Sequence, residues 1–373
     1  MENEKKRLAS LDVLRGFDLF MLVMFAPIFV QWLTIKNDPS WSGILNQFSH
    51  TDWHGFTCWD IIMPLFMFMS GITIPFALSK YKNGAQKADK AFYKKVFRRF
   101  FILFFLGWIM QGNLLALDPN QFYIYDNTLQ SIAVGYLVAA ILYANFPIKV
   151  QVGSCILFFL IYLIVFVTLG DNSYTQGANI AETIDKAVLG KFRNGVIWQN
   201  GSWSFDPNYH YTWILSSLNF IVTVMLGAFA GYILKGGKDT IKKLRLLLII
   251  GIVLTVSGLL MDPVFPIIKK IWSSSMTLFS GGICFLLMAL FFYIVDIKGW
   301  IKGIGWLKYY GMNSLLAYCL FERVMFTSIS DSLFFGLKQW LNVYYPVVAV
   351  CVQALIVFII VRTLYKLHIF IKV

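Results

Sequence analysis

Long apolar runs recur along the chain near residues 11–32, 60–79, 100–117, 128–145, 152–170, 212–234, 246–262, 273–295, 309–326 and 344–364, with polar connections between them. Each approaches the roughly 20 residues that an α-helix needs to cross hydrocarbon. Runs of this length favour helices over the shorter alternating strands of a membrane barrel. The pattern therefore predicts an all-α polytopic membrane protein with about ten transmembrane helices. No repeat or low-complexity tract divides it, so residues 1–373 read as one transmembrane domain. The first run follows MENEKKR, which has the look of a signal peptide's basic start. It is too long, carries internal charge and lacks a small-residue cleavage site, so it is expected to stay as an anchor.

Composition sharpens this picture. The chain is 58% hydrophobic, 17% aromatic and only 14% charged, far more apolar than a soluble domain. A net charge of +13 raises the question of nucleic acid, which the distribution of the charge answers. The amino terminus, the alternate loops 80–99, 146–151, 235–245 and 296–308 and the carboxyl tail hold 22 of the 32 Lys and Arg, and the opposite loops hold 7. By the positive-inside rule both termini are cytoplasmic, as an even number of spans requires. The partners expected are a lipid bilayer and a small-molecule or glycan ligand, and no nucleic acid. The five cysteines lie scattered in apolar stretches without C-x-x-C spacing, so neither a disulfide nor a zinc site is expected.

Two connections stand out. Residues 171–211 form an extracytoplasmic loop rich in Asn, Gly, Asp and Ser, with Trp198, Trp203 and Tyr211, a composition suited either to recognising a polar ligand or to serving as a plain cover. On the cytoplasmic side, residues 80–99 carry eight basic residues. Such runs set topology and touch lipid phosphates, and could alternatively meet an anionic cytosolic ligand. Arg98 and Arg99, with Lys243 and Arg245 from the loop 235–245, are the candidates for phosphate contacts.

Charges inside the spans need partners, because an uncompensated charge at the bilayer centre costs about 2.5 to 3.5 kcal/mol even on insertion scales. SLDVLRGFDLF places Asp12, Arg15 and Asp18 at successive i, i+3 positions. They could form an internal ion pair that fixes packing or a functional polar site. Asp60, Glu322 and Arg323 belong to the same class, and Asp60 stands out because it lies ten residues from His50.

The stretch SHTDWHGFTCWD, residues 49–60, gathers two of the chain's four histidines. His50 and His54 flank Asp52, but a catalytic zinc needs a third protein ligand and the Glu of the metalloprotease pattern is missing, so no metal is expected. A carboxylate within reach would instead hold an imidazole in one tautomer and leave it competent as a general base. Spacing alone leaves His50 and His54 tied.

Taken together, these segments resemble the transmembrane acetyltransferases related to heparan-α-glucosaminide N-acetyltransferase, a family with many bacterial members. RLASLDVLRGF is similar to the family's R-x-x-S-x-D-x-x-R-G, with Asp12, Arg15 and Gly16 in place. The opening stretch, continued to residue 71, is similar to H-x-x-W-x-G-x-x-x-x-D-x-x-x-P-x-F-x-F-x-x-G and matches His50, Trp53, Gly55, Asp60, Pro64, Phe66, Phe68 and Gly71. TLQSIAVGYL resembles the L-Q-R-I helix, keeping Gln130 but with Ser131 for the Arg. FPIIKKIWSSSMTL matches Pro266, Lys269, Trp272 and Ser275 of P-x-N-K-x-L-W-x-x-S, with Ile268 for the Asn. GMNSLLAYCLFE resembles G-M-N-S-x-x-x-Y, with Gly311, Met312, Asn313, Ser314 and Tyr318. Phe25 and Ala26 stand where some members carry an Asn near the outer end of the first helix.

The resemblance implies transfer of an acetyl group from cytosolic acetyl-CoA to an amino sugar or glycan across the membrane. It puts the essential histidine at His50 and the matching acid at Asp60, whereas His54 falls on a variable position. Asp12, Arg15, Trp53, His54, Gln130, Lys269, Ser275 and Asn313 are then candidates for a substrate-binding or structural polar site. It also implies a homodimer, and a bacterial inner membrane is the expected location. The alternative is a secondary transporter for a sugar or organic ion that uses the intramembrane Asp and Arg residues, and a non-catalytic membrane scaffold is a third reading.

Overall fold

The computed structural model describes residues 8–81, 88–112, 114, 118, 120–170, 173–237, 239–324 and 326–371. The basic leader 1–7, the middle of the basic run 80–99, and residues 113, 115–117, 119 and 171–172 of the expected third span and polar loops lie outside the described residues.

The helices, in chain order, are α1 (Ala9–Phe20), α2 (Ala26–Lys36), α3 (Ser42–Asn46), α4 (Ile62–Leu78), α5 (Lys90–Gln111), α6 (Thr128–Asn145), α7 (Ile148–Leu169), α8 (Ile180–Leu189), α9 (Ser216–Lys235), α10 (Thr240–Met261), α11 (Ser274–Phe291), α12 (Leu307–Met312), α13 (Ser314–Arg323), α14 (Thr327–Phe334), α15 (Lys338–Leu341) and α16 (Tyr345–Lys366). Local chemistry sets several of their ends. Asp89 caps α5 by accepting from Phe92 N at 2.8 Å, and Asn127 caps α6 by accepting from Leu129 N at 3.0 Å. Gly112 closes α5 in the left-handed conformation, where a side chain would be strained.

Among the described residues, eight helical stretches are long and apolar enough to cross a membrane, and they overlap eight of the ten expected spans. The protein is therefore an all-α polytopic membrane protein. The other two expected spans take different forms. The third lies in α5, whose first half carries Lys90, Lys94, Lys95, Arg98 and Arg99. The ninth breaks at Asn313, φ −122° and ψ 40°, into the short helices α12 and α13.

The described residues gather into two compact units. The first comprises the chain up to His50, the segment Thr57–Ile62, and the chain from Leu287 onward. Its centre is the packing of α1 on α12, where the backbones meet. A Cβ on Gly16 would run into the Leu307 carbonyl, and one on Gly311 into the Asp12 carbonyl. Small residues at such crossings allow the close van der Waals approach that holds helices together in lipid. A π-helical turn, Met21–Phe25, carries α1 into α2.

The second unit contains Thr51–Phe56 and Met63–Leu286. Here α4 crosses α9 at backbone contact, Gly71 facing the Val224 carbonyl and Gly227 facing the Phe68 carbonyl. α6 packs between α5 and α9, and α7 also lies on α9. The apolar faces of α7 and α10, including Ile156, Ile164, Ile252 and Val256, stay exposed, as lipid-facing surfaces do. After α7, the loop folds into α8 and a hairpin of β1 (Val196–Gln199) and β2 (Ser202–Phe205), with Trp198 opposite Trp203. Beneath α8 lies a core of Tyr162, Phe166, Ala181, Leu215, Ile268 and Ile271, against which Trp53 packs.

Candidate active site

In the first unit, a short 3₁₀ turn, Cys58–Ile61, precedes α4 and positions the acid of the longest motif. Thr57 caps this turn, and Asp60 answers at the third position, so that the two residues close a capping box. Asp60 is fully buried. Its Oδ2 accepts from Thr57 N at 3.1 Å and Thr57 Oγ1 at 3.0 Å, and its Oδ1 lies 2.7 Å from His50 Nδ1. Backbone bonds fix the approach from the other side: Trp59 N donates to the Gln47 carbonyl at 3.0 Å and Cys58 N to Gln47 Oε1 at 3.1 Å. Facing a carboxylate, Nδ1 of His50 is the protonated nitrogen, which leaves the imidazole lone pair on Nε2. The ring itself is half-exposed. A buried acid orienting an accessible imidazole is the arrangement of a general base with its positioning carboxylate.

The other candidates of this unit do different work. Arg15 lies 4.0 Å from Asp12, a loose pair on one helical face. Asn313 is fully buried, and both ends of its amide meet the carboxyl-terminal segment: Nδ2 donates to the Ile369 carbonyl at 3.1 Å, and Oδ1 accepts from Ile371 N at 2.9 Å.

In the second unit, two of the matched segments run side by side. Gly55 N donates to the Ile267 carbonyl at 2.9 Å, and His54 bridges Ile268 in antiparallel fashion. His54 Nε2 sits 2.9 Å from Asp262 Oδ1, which also accepts from Ile267 N at 2.7 Å. The imidazole of His54 is largely exposed. Trp53 donates its indole N–H to the Tyr174 carbonyl at 2.8 Å.

The turn around Lys269 is clamped through its carbonyls. Thr212 N donates to Lys270 O at 3.0 Å, Tyr162 Oη to Ile271 O at 2.8 Å, and Asn219 Nδ2 to Trp272 O at 2.8 Å. These bonds hold the buried Trp272 at φ +48°, a left-handed conformation that a bulky residue adopts only when its surroundings enforce it. Ser275 Oγ donates to the Pro266 carbonyl at 2.9 Å and lies 3.0 Å from Ser273 Oγ, while Lys269 is buried in the same turn. Gln130, fully buried, accepts from Asp126 N at 2.8 Å and donates to the Ile124 carbonyl at 3.2 Å, so its amide shapes the entry to α6.

Above this turn, the loop after α7 is tied down by buried charge. Asp185 accepts from Trp213 N at 2.8 Å and Ile214 N at 2.9 Å. Arg193, fully buried, donates to the Tyr209 and Tyr211 carbonyls at 3.2 Å. Asp126 accepts from Asn194 Nδ2 at 2.7 Å and from Tyr209 Oη at 3.1 Å. Burial pushes the Asp126 and Asp185 carboxyls up to about 6, against the pull of these donors and of the Arg193 charge.

Of the proposed phosphate contacts, Arg98 and Arg245 are exposed. Arg99 lies over the Tyr136 ring at 3.9 Å and donates to Ser70 Oγ at 3.3 Å, and Lys243 Nζ donates to the Leu234 carbonyl at 2.9 Å. Among the described residues no three His, Cys, Asp or Glu side chains gather where they could share a metal ion.

The sequence thus draws attention to His50, Asp60, Trp53 and His54, while Thr57, Asp262, Glu182 and His210 emerge only from the fold. The rarity of histidine, four in the chain, is the one sequence signal that could have found His210. The partners of His54 and His210 lie 208 and 28 residues away, beyond any local spacing rule.

Residues 7–183 match the sequence profile of the family described as heparan-alpha-glucosaminide N-acetyltransferase, catalytic. The chain is similar to heparan-alpha-glucosaminide N-acetyltransferase of Mus musculus, 25% identical over 368 residues, covering 84% of this chain and 53% of that protein. It is also similar to the Homo sapiens protein of the same name, 24% identical over 367 residues, covering 84% of this chain and 52% of that protein. The chain spans about half the length of these curated relatives. It is related to the transmembrane acetyltransferases of the heparan-α-glucosaminide N-acetyltransferase family.

Proposed function

We propose that this protein moves an acetyl group from cytosolic acetyl-CoA to an amino sugar or glycan on the extracytoplasmic side of a membrane, in the simplest case the bacterial inner membrane. The single observation carrying this reading is the approach of His50 Nδ1 to the fully buried Asp60 at 2.7 Å. An amine must be neutral to attack a thioester, and a sugar ammonium is not. The acceptor ammonium first gives one proton to solvent; Nε2 of His50 then takes a second from the neutral amine as its nitrogen bonds to the acetyl carbon, the carbon–sulfur bond breaks, and the thiolate of CoA leaves, to be protonated from solvent. Asp60 holds the imidazole and stabilises the imidazolium. A positioned base of this kind contributes about 10²- to 10⁴-fold. In a two-step variant Nε2 of His50 itself takes the acetyl group and passes it on.

The long pantetheine arm suits this division of labour. The phosphates of the coenzyme would stay with cytoplasmic basic residues such as Arg98 and Arg245, while the thioester travels into the bundle. The test is free thiol release from acetyl-CoA by the purified protein in nanodiscs, with glucosamine and amino-sugar oligosaccharides as acceptors. Acceptor-dependent release that disappears in His50→Ala and persists in His54→Ala is expected. Wild type that releases no thiol across the acceptor panel overturns the reading.

A further inference from the structure

Beside His50–Asp60 and His54–Asp262, the loop after α7 holds a third histidine–carboxylate couple, and the reaction above does not use it. His210 is 7% exposed and Glu182 1%. Glu182 Oε1 accepts from Asn179 Nδ2 at 2.8 Å and from Gly177 N at 3.1 Å, and Lys186 Nζ stands 3.8 Å from Oε2. His210 Nδ1 lies 3.3 Å from both carboxylate oxygens. A carboxylate on Nδ1 sets the proton there and leaves the lone pair on Nε2. Among the described residues no group hydrogen-bonds to Nε2 of His210.

The surroundings of the His210 ring are aromatic. The Trp53 ring meets the His210 ring edge-on at 5.9 Å and 77°. Its indole N–H is fixed on the Tyr174 carbonyl at 2.8 Å, and the Tyr174 ring stacks on Phe166 at 4.9 Å and 6°. The Tyr174 hydroxyl is itself buried without a hydrogen-bond partner. The Nε2 lone pair of His210, with no protein donor on it among the described residues, can accept a hydrogen bond from a ligand. An indole held in place presents an apolar face to the C–H face of a pyranose, and a lone pair beside it accepts from a sugar hydroxyl or amine.

We propose that Trp53, Tyr174 and His210 form a subsite for the amino-sugar acceptor, in which Nε2 of His210 accepts a hydrogen bond from a hydroxyl or amine of the sugar. The subsite rests on the acetyl-transfer reading for its ligand. It makes His210 a specificity-determining residue and gives Glu182 the task of holding the imidazole. Trp53 lies three residues after His50 in the same motif.

Two amide substitutions separate the roles of the two imidazole nitrogens. Asn carries a polar group where Nδ1 stands and keeps the contact with Glu182, but reaches no further. Gln carries one near Nε2. The experiment measures calorimetric binding of glucosamine to the full chain in nanodiscs, alongside thiol release, for wild type, His210→Asn and His210→Gln. Expected is about tenfold weaker glucosamine binding and a matching rise in acceptor KM for His210→Asn, the loss of one hydrogen bond, with recovery in His210→Gln and an unchanged KM for acetyl-CoA. Equal glucosamine affinity in wild type and a folded His210→Asn overturns the subsite, as does a His210→Gln variant no better than His210→Asn. Wild type that binds glucosamine in a His210-dependent way yet transfers no acetyl group leaves the subsite standing and removes the reaction. Wild type that neither binds nor transfers overturns both.

Discussion

Nδ1 of His50 stands 2.7 Å from Oδ1 of Asp60, and Thr57 grips the other carboxylate oxygen through its backbone N–H and its hydroxyl at once. The carboxylate is thus fixed before the imidazole is. Asp60→Asn keeps the shape but can turn an N–H toward Nδ1, which favours the wrong tautomer. A fall in kcat of about 10²- to 10⁴-fold is expected, with KM for acetyl-CoA unchanged. Thr57→Val, which removes the hydroxyl and leaves the backbone bond, should lower kcat by about tenfold or less. Steady-state thiol release checks both, and an Asp60→Asn variant with wild-type kcat would remove Asp60 from the mechanism.

Asn313 serves as a test of two roles for one amide. Its Nδ2 and Oδ1 tie the break between α12 and α13 to the backbone of Ile369 and Ile371. If anchoring is its role, Asn313→Ala leaves two backbone groups unmet and destabilises the protein by about 1–3 kcal/mol, lowering the melting temperature without changing kcat at a permissive temperature. A stabiliser of the tetrahedral oxyanion would show the reverse, a drop of about 10²-fold or more in kcat with normal melting.

The contrast between Asn313 and the long spans shows what the sequence makes legible. Eight spans announce themselves through apolar length, because a bilayer imposes that length locally on each helix. The break at Asn313 depends on residues 56 and 58 positions away, which no local window contains. The same division runs through the site. His50 and Asp60, ten residues apart in one motif, could be read as candidates together. The pairing of His54 with Asp262 across 208 residues could not, nor could that of Glu182 with His210. Ser275 and Gln130 are polar in apolar surroundings; their hydrogen bonds go to nearby backbone and, for Ser275, also to the Ser273 hydroxyl.

Gly227 tests the close crossing of α9 and α4. A Cβ there would enter the space of the Phe68 carbonyl, a backbone atom that can give only by moving the helix. Gly227→Ala should destabilise by about 1–3 kcal/mol, as overpacking does. Gly153 on α7 is the control, since a Cβ added there meets nothing within 4 Å. Gly153→Ala should be neutral or stabilising by about 0.5–1 kcal/mol through helix propensity. Thermal unfolding followed by size-exclusion fluorescence ranks the two, and equal melting would show that the α4–α9 spacing is relaxed.

The loop after α7 should be most stable in mild acid. Asp126 and Asp185 have carboxyls raised to about 6 by burial, each near the Arg193 guanidinium, whereas the unfolded chain titrates them near the ordinary value of 3.8. Between these values the folded loop holds protons that the unfolded one releases. Stability from these groups is therefore fully present below about pH 4, falls as pH rises through 4 to 6, and levels off above about 7. Each contributes on the order of 1–3 kcal/mol across that window. Asp126→Asn still offers an oxygen to Asn194 and Tyr209 but carries no charge, so it should flatten the acid dependence and gain most over wild type at pH 7.5. Limited proteolysis of residues 173–211 between pH 5 and 8 reads this directly. A wild-type loop whose protection rises with pH across that range would mean that the Arg193 charge outweighs desolvation.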